Sequence, residues 1–365
     1  MSRDFYVRQG ETCHRHVSCR EVVVGSYVKR HLTPPDTKRT GKKEVERVEE
    51  KKPLMVGGQA VLEGVMMRNA GKVATAVRVS DGHIETDVSD VNSIADRFPI
   101  LKKPFLRGVV ALGESLVLGL RSLSYSAKMA GEEDEQLSDG ELAGTMALAF
   151  ALAAVLFVAI PTWATRFFHT IFESPVALNL AEGMLRLAIF LGYLLAISRM
   201  EGIYRVFQYH GAEHKTIHAY ESGGPLTVER VQSCSRFHPR CGTSFLLIVM
   251  LVSIFVFAFL GWPDLLTRVV SRVALLPVVA GISYEFIRLA ARSKNSVVQL
   301  LTLPGLWLQR LTTNPPEDEM VEVAITSLAA VLPEEEKERM GLPAEKTAEP
   351  AQEEADEDAV AIAAN

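Results

Sequence analysis

Leu142 to Thr165 read LAGTMALAFALAAVLFVAIPTWAT, a run of 24 residues without a charged side chain. At 1.5 Å per residue, a helix of that length reaches about 36 Å, which exceeds the ~30 Å hydrocarbon core of a bilayer. A second uncharged run of 23 residues extends from Cys241 to Pro263. Two such runs exclude an ordinary soluble protein, and the lack of alternating ten-residue segments argues against an outer-membrane barrel.

Four apolar segments are predicted to cross the membrane. They cover residues 142–165, 176–198, 243–262 and 270–288. The second segment contains Glu182 and Arg186, which are four residues apart and can meet on one helix face. The fourth contains Glu285. The sequence therefore predicts a mainly α, multi-span helical membrane protein.

The distribution of basic residues predicts the orientation of these spans. Segment 199–240 carries six Lys or Arg residues, 288–310 carries four and 102–128 carries five. The two intervening loops on the other side carry only Arg166 and the pair Arg268 and Arg272. Because basic residues are enriched on the cytoplasmic side, we predict that both termini and the 199–242 loop are cytoplasmic.

Outside the predicted spans, differences in amino-acid composition distinguish four further segments. We predict a disordered basic arm over 1–52, a small β-containing cytoplasmic region over 53–100, an amphipathic helix over 101–130 and a disordered acidic tail over 315–365. In the β-containing region, Val73 to Ser80 and His83 to Val88 flank Asp81-Gly82, which is a strong hairpin signal. The fold is thus helical with a small β region and disordered ends.

The cytoplasmic loop contains three histidines at a helical repeat. His210, His214 and His218 recur every four residues and so share one side of a helix, with Glu213 adjacent. Two imidazoles at i and i+4 can share a metal ion, whereas the outer pair would be about 12 Å apart. A single site needs a helix break or a choice of two histidines. His210-x-x-Glu213-His214 also matches the inverted zincin pattern, in which the glutamate activates water.

A second set of metal-capable groups precedes the third span. Cys234, His238 and Cys241 lie within eight residues, and Zn²⁺ accepts both imidazole and thiolate ligands. The alternative to a metal site is that the histidines form a solvated stripe on the helix and that the cysteine is a buried thiol that acts as a small apolar side chain. An amino-terminal group of Cys13, His14, His16 and Cys19 has no zinc-binding spacing that we recognise.

The stretch from Gly57 to Arg68 reads GGQAVLEGVMMR. Its glycines permit tight turns and close backbone approach, and Glu63 and Arg68 place opposite charges in apolar surroundings. It is not a phosphate-binding loop, because no Gly-Lys-Ser/Thr follows. Two interpretations remain: a site that binds an anionic substrate, or a structural turn with an internal ion pair.

Three motifs together resemble a known family. Gly57 to Arg68, Tyr209 to Glu221 and His238 to Phe245 are similar to the YqhQ-like family of bacterial membrane proteins, the domain-of-unknown-function family numbered 1385. The resemblance covers about residues 53–315. It implies a multi-span inner-membrane protein and a predicted metal-dependent enzyme, with no established reaction. Cys13, Cys19 and Cys234 are not part of the pattern.

The resemblance favours one set of site residues. The candidate metal ligands are His210, His214, His218, His238 and Cys241, and the candidate catalytic residues are Glu213, Glu63 and Arg68. The expected cofactor is a divalent metal ion, with zinc first. We expect metal-assisted hydrolysis of an unknown substrate in the bacterial inner membrane.

Two other functions stay open. One is a non-enzymatic metal-binding scaffold or sensor that recruits cytosolic proteins or forms a homo-oligomer. The other is a transporter that uses Glu182, Arg186 and Glu285. The lipid bilayer is the expected partner. Nucleic acid is not, because the basic arm lacks interleaved aromatic residues and any nucleic-acid-binding module that we recognise.

Overall fold

The computed structural model describes residues 54–131, 139–293 and 295–343. Within these ranges the chain is mainly helical, with one small antiparallel sheet, as the composition predicts. The predicted arm over 1–52, including its Cys and His residues, lies outside them, as do residues 344–365 of the predicted tail.

The sheet is a four-stranded antiparallel meander in the order β1-β2-β3-β4. Its strands are β1 (Gly57–Val61), β2 (Gly64–Arg68), β3 (Lys72–Arg78) and β4 (Ile84–Asp90). The predicted hairpin at Asp81-Gly82 is confirmed as the β3–β4 connection, in which Gly82 has a φ of 93°.

The glycine-rich stretch forms the other hairpin, which connects β1 to β2. Its turn contains Leu62 and Glu63, and Glu63 has a φ of 48°, a left-handed conformation that is costly for a residue with a Cβ atom. Backbone hydrogen bonds support the turn, because Arg78 donates its N–H to the Glu63 carbonyl at 2.9 Å. Strand pairing continues to Gly57 opposite Arg68.

In the part of the chain that the structure describes, twelve α-helices follow the sheet. They are α1 (Ile94–Arg97), α2 (Leu106–Met129), α3 (Asp139–Ala154), α4 (Ile160–Phe168), α5 (Pro175–Ile197), α6 (Glu201–Glu221), α7 (Val228–Ser233), α8 (Gly242–Ala258), α9 (Leu265–Arg292), α10 (Ser296–Thr312), α11 (Asp318–Val331) and α12 (Glu334–Arg339). A 3₁₀ turn at Pro99–Lys102 precedes α2, and a π-helical turn at Val155–Ala159 joins α3 to α4.

Among the described residues, three helices are long and apolar enough to cross a membrane: Ala143–Phe168, Pro175–Ile197 and Leu265–Ala290. They correspond to three of the four predicted spans. The predicted span over 243–262 is shorter, because α8 ends at Ala258 after 17 residues. Gly261 then adopts a φ of 72° ahead of Pro263, which ends the apolar helix. At about 25 Å, α8 is shorter than a typical hydrocarbon core.

The sheet is covered on both faces. On one face, buried side chains such as Val65 and Ala76 join a core with residues of α6 and α11. On the other, Thr75 of β3 donates a hydrogen bond to Ser122 of α2 at 2.9 Å. Burial from both sides ties the sheet to the long α2 helix and to the histidine-bearing helix α6.

Residues 318–340 differ from the predicted disordered tail. Helix α11 packs on the sheet and on α6, and its Val323 and Leu328 are fully buried. Helix α12 is joined to α6 by a hydrogen bond from the Tyr220 hydroxyl to Glu336 at 3.4 Å. The apolar residues recur at helical spacing and so form one buried face. Only the Glu- and Pro-rich composition of the flanking sequence suggested disorder.

Candidate metal centre

Helix α6 carries the three histidines and continues without a break from Glu201 to Glu221. Its Tyr209 and Tyr220 are buried in the core, which fixes the rotation of the helix. The segment from Cys234 to Cys241 runs alongside α6 and places its backbone carbonyls against the histidine rings. The helix thus presents its histidines to a loop that is distant in sequence.

The structure brings together His210, His214 and Cys241. One ligand atom from each lies within 4.8 Å of the others. His210 Nε2 and the Cys241 sulfur are 3.2 Å apart. Because α6 is unbroken, a single site can include only two of its three histidines. They are His210 and His214, which are four residues apart.

Backbone carbonyls fix the protonation of both imidazoles. His210 Nδ1 lies 2.7 Å from the Thr312 carbonyl oxygen, and His214 Nδ1 lies 2.6 Å from that of Arg236. A carbonyl only accepts, so each Nδ1 must carry the proton. In the neutral form of each ring, Nε2 is then the nitrogen whose lone pair is available to the cluster. Metal-binding histidines are commonly oriented by this kind of hydrogen bond.

The electrostatic surroundings favour the forms that bind a metal ion. Burial lowers the pKa of His214, which keeps its imidazole neutral. Burial also raises the pKa of the Cys241 thiol, but interactions with His214 and Thr243 outweigh that effect and the net pKa is lowered. Metal ions bind histidine as the neutral imidazole and cysteine as the thiolate, and the lowered pKa of Cys241 makes its thiolate easier to form.

Glu213 lies beside the cluster and is 5% exposed. Its Oε2 atom is buried with no hydrogen-bond partner among the described residues. Burial raises the pKa of this carboxyl to about 8. A buried, unpartnered carboxylate oxygen is costly, so a cation or a polar ligand beside it would be stabilising. The donor set and this orphaned oxygen together fit a divalent ion.

Gly58 of β1 makes room for Glu213. A Cβ atom at Gly58 would lie 3.0 Å from Glu213 Cγ and 2.6 Å from the Met66 carbonyl oxygen. Both distances are shorter than ordinary van der Waals contact, so a side chain there would displace the glutamate or the strand. The glycine-rich stretch therefore shapes the site through its backbone.

His218 and His238 lie next to the cluster with other partners. His218 Nε2 is 2.8 Å from the Phe237 carbonyl oxygen. His238 Nδ1 accepts the Arg240 N–H at 3.3 Å, and its Nε2 lies 3.6 Å from Glu221. The rings of these two histidines are 4.8 Å apart. In this arrangement they support the loop, and the three-residue group does not include them.

Glu63 and Arg68 occupy different positions. Glu63 accepts hydrogen bonds from Arg205 of α6, at 2.7 Å to the guanidinium Nε, and from Tyr209 at 3.2 Å. Its ionic partner is thus Arg205, and the internal pair with Arg68 does not form. Arg68 has no ionic or hydrogen-bonding side-chain partner among the described residues, and it lines the cavity of the metal centre.

This cavity has a volume of about 580 Å³. His210, Glu213, His214 and Cys241 lie on its wall. Arg68 adds a positive charge, and Arg240 on the same wall is paired with Glu221. The sides formed by β1, α2 and α9 are largely apolar. Ligand sites generally combine apolar walls with a few convergent polar groups, as here.

Two supporting residues were missed by the sequence analysis. Gln309 of α10 accepts the His238 N–H and donates to the His238 carbonyl, both at 2.8 Å. Thr312, at the end of the same helix, supplies the carbonyl that orients His210. The available signal is the presence of polar residues, Gln309 and Thr312, at the end of an otherwise apolar stretch.

Gly211 allows the chain after α10 to lie directly on α6. A Cβ atom there would collide with the Asn314 carbonyl oxygen. We expect Gly211→Ala to destabilise the protein by about 1–3 kcal/mol and to lower its apparent melting temperature by about 5 °C. Thermal unfolding in detergent measures this. Gly202→Ala is the control on the same helix, because a Cβ at Gly202 meets nothing within 4 Å. Equal melting temperatures for the two variants would contradict the contact.

Comparison with known proteins identifies the family. The family described as "Protein of unknown function (DUF1385)" matches residues 103–334. This chain belongs to the DUF1385 family. Within the DUF1385 match lie α2, the three described helices that are long enough to cross a membrane and all residues of the candidate metal centre. The sheet that carries Gly58, Glu63 and Arg68 precedes it.

A relative extends the similarity further along the chain. The "Uncharacterized protein YqhQ" of Bacillus subtilis (strain 168) is 40% identical over 298 residues, which cover 77% of this chain and 93% of the relative. The predicted resemblance to the YqhQ-like, DUF1385 family is therefore confirmed. No solved structure is significantly similar to the chain.

Proposed function

We propose that this DUF1385 protein is a metal-dependent hydrolase of the bacterial inner membrane, with its active site at the cytoplasmic membrane surface. The observation that carries the proposal is the convergence of two tautomer-fixed imidazoles, one thiol and an orphaned carboxylate on a single cavity. These groups come from α6 and from a loop 20 or more residues away in sequence. Such convergence of perturbed titratable groups is typical of active sites.

The arrangement of the apolar helices supports a membrane location. The amino-terminal end of α8 and the carboxyl-terminal part of α9 reach the candidate metal centre, since Gly242 and Tyr284 line its cavity. The carboxyl-terminal end of α5 is joined by a short turn to α6, which carries the histidines. The sheet and α6 then lie on one side of the apolar helices, the side that the basic residues predict to be cytoplasmic. In this topology α8 crosses together with the three longer helices.

The chain's own residues have distinct roles in the proposed reaction. His210, His214 and Cys241 would hold a divalent ion, with zinc favoured by the mixed nitrogen and sulfur donors. When bound, the ion would supply Lewis acidity and activate water. Glu213 would accept a proton from the attacking water and return it to the leaving group. Its burial raises its pKa into the range that suits such transfer.

The cavity also indicates a substrate type. Arg68 is free to pair with an anionic group, while the walls from α2 and α9 would contact an apolar portion. Glu63 would act indirectly, because its bonds to Arg205 and Tyr209 position β1 and β2 against α6. An amphipathic anion fits this combination.

Metal analysis of the purified full-length protein tests the centre. We expect about one equivalent of divalent metal in the wild type and less than about a tenth in His214→Ala and in Cys241→Ser, because three protein ligands are the minimum of catalytic zinc sites. Elemental mass spectrometry after gel filtration measures the content.

His218→Ala provides the matched control. It removes an imidazole from the same face of α6 but not from the group of three, so its metal content should equal that of the wild type. A wild type without metal, or stoichiometric metal in both ligand variants, would defeat the proposed centre. Loss in His218→Ala alone would move the site toward His238.

A further inference from the structure

A second cluster of charged residues lies between α5 and α9, far from the metal centre. Glu182 is 1% exposed and accepts hydrogen bonds from Arg186 at 2.9 Å and from Arg272 at 2.8 Å. The predicted meeting of Glu182 and Arg186 on one helix face is confirmed. Arg272 also donates to Asn179 at 2.9 Å.

A third guanidinium, that of Arg268, enters the same cluster without a carboxylate of its own. Arg268 is 8% exposed, and it lies 4.2 Å from the centre of the Trp262 ring. Its Nε and Nη1 atoms, and Nε of Arg272, are buried with no hydrogen-bond partner among the described residues. Hydrogen-bond donors of both Arg268 and Arg272 are thus buried away from solvent without an acceptor among the described residues.

The charges of the cluster do not balance. Three guanidinium groups face the single carboxylate of Glu182, which already bonds Arg186 and Arg272. The nearby Asp264 uses its carboxylate to cap α9 through the N–H groups of Leu266 and Thr267. The cluster therefore keeps an excess of positive charge even when Asp264 is counted, and removing a charge from water without a partner is strongly unfavourable.

The position of the cluster limits what can supply the missing charge. Asn179 donates to the Gly261 carbonyl at 2.8 Å, so the amino-terminal ends of α5 and α9 lie together. Sixteen residues of α9 separate Arg268 from Tyr284 at the metal cavity, which is roughly 24 Å. The cluster thus lies toward the membrane face opposite the metal centre.

We propose that Arg268 and Arg272 form a binding site for a phosphate oxyanion at the amino-terminal ends of α5 and α9. A phosphate group offers several acceptor oxygens and can take hydrogen bonds from two guanidinium groups at once. Its negative charge compensates the excess that Glu182 leaves. The phosphate of a membrane lipid and free inorganic phosphate share this chemistry. The inference does not depend on the metal centre, since the two sites lie at opposite ends of α9.

Thermal unfolding of the delipidated full-length protein in detergent tests the site. Phosphatidylglycerol, inorganic phosphate and diacylglycerol are added separately. We expect phosphatidylglycerol to raise the apparent melting temperature of the wild type by several degrees, since a ligand that binds only the folded state stabilises it. Diacylglycerol, which has no phosphate, should leave it unchanged. A shift with inorganic phosphate alone would identify the free anion as the source.

Arg268→Gln should lose most of that shift, with at least about a tenfold weaker apparent affinity. Without added ligand it should melt at or above the wild-type temperature, because the substitution removes an unpaired buried charge. Arg166→Gln is the control, since Arg166 is an exposed arginine of α4. It should keep the full shift.

Two results would overturn the proposal. One is a wild type whose melting temperature changes with neither phosphatidylglycerol nor phosphate. The other is an Arg268→Gln variant that shifts as much as the wild type. Native mass spectrometry of the wild type gives a readout that needs no variant: we expect one phospholipid or phosphate retained per chain after mild delipidation, and no retained adduct would count against the site.

Discussion

Glu213→Gln should keep the metal content of the protein and lower its turnover by about 10²–10⁴-fold, the usual contribution of a general acid or base. Glutamine has nearly the same shape, so the cavity and the Gly58 contact persist. It cannot accept a proton at neutral pH, and it is not one of the three ligand residues. The readouts are hydrolysis of a panel of chromogenic esters and phosphodiesters, and complementation of a bacterium whose own copy is deleted.

Glu201→Gln is the matched control for this experiment. Glu201 begins the same helix, is exposed and lies outside the cavity. It should behave as the wild type in metal content, expression and complementation. If Glu213→Gln complements fully and retains its metal, the catalytic role of Glu213 fails and the non-enzymatic scaffold or sensor is favoured instead.

Removal of the metal should lower the apparent melting temperature of the wild type by about 10 °C. A ligand present at a thousandfold excess over its Kd stabilises the folded state by about 4 kcal/mol, and each kcal/mol corresponds to about 2–4 °C in a protein of this size. The expected effect is large because the ion would tie α6 to the loop that ends at Cys241. A chelator added during thermal unfolding in detergent provides the measurement.

The Cys241→Ser variant separates metal loss from other actions of the chelator. It should melt at the same temperature with and without chelator, close to the chelated wild type. A chelator shift of equal size in both proteins would show that the stabilising ion is bound elsewhere. No shift in a wild type that contains stoichiometric metal would contradict a structural contribution from the centre.

The helical part of the fold follows from the sequence because hydrophobicity is a local property. The run from Leu142 to Thr165 and the apolar segments that become α5 and α9 each exceed the length needed to span a bilayer. The residue at which a helix ends is harder to predict from the sequence. Helix α8 ends at Ala258, although the apolar run continues to Pro263, and the left-handed Gly261 and Pro263 that follow cannot extend it as a helix.

The folded region around α6 was predicted less completely. The Asp81-Gly82 hairpin is predicted correctly, because an Asp-Gly pair between two strand-like runs is by itself a strong hairpin signal. For Gly57 to Arg68 the sequence leaves a structural turn as one of two interpretations, and it does not locate that turn, because Glu63 adopts a positive φ that its residue type does not suggest. Residues 318–340 were assigned to a tail, and their burial depends on the sheet surface that covers them.

The sequence by itself determined which chemical groups were available: imidazoles every four residues, a thiol before an apolar helix and a glutamate beside one histidine. Those are properties of spacing along one helix. Only the tertiary structure decided which of them meet. Carbonyls of Arg236 and Thr312 turn His214 and His210 toward Cys241, whereas Phe237 and Glu221 hold the other two histidines. The physical reason is that ring orientation and protonation depend on hydrogen-bond partners supplied by segments distant in sequence.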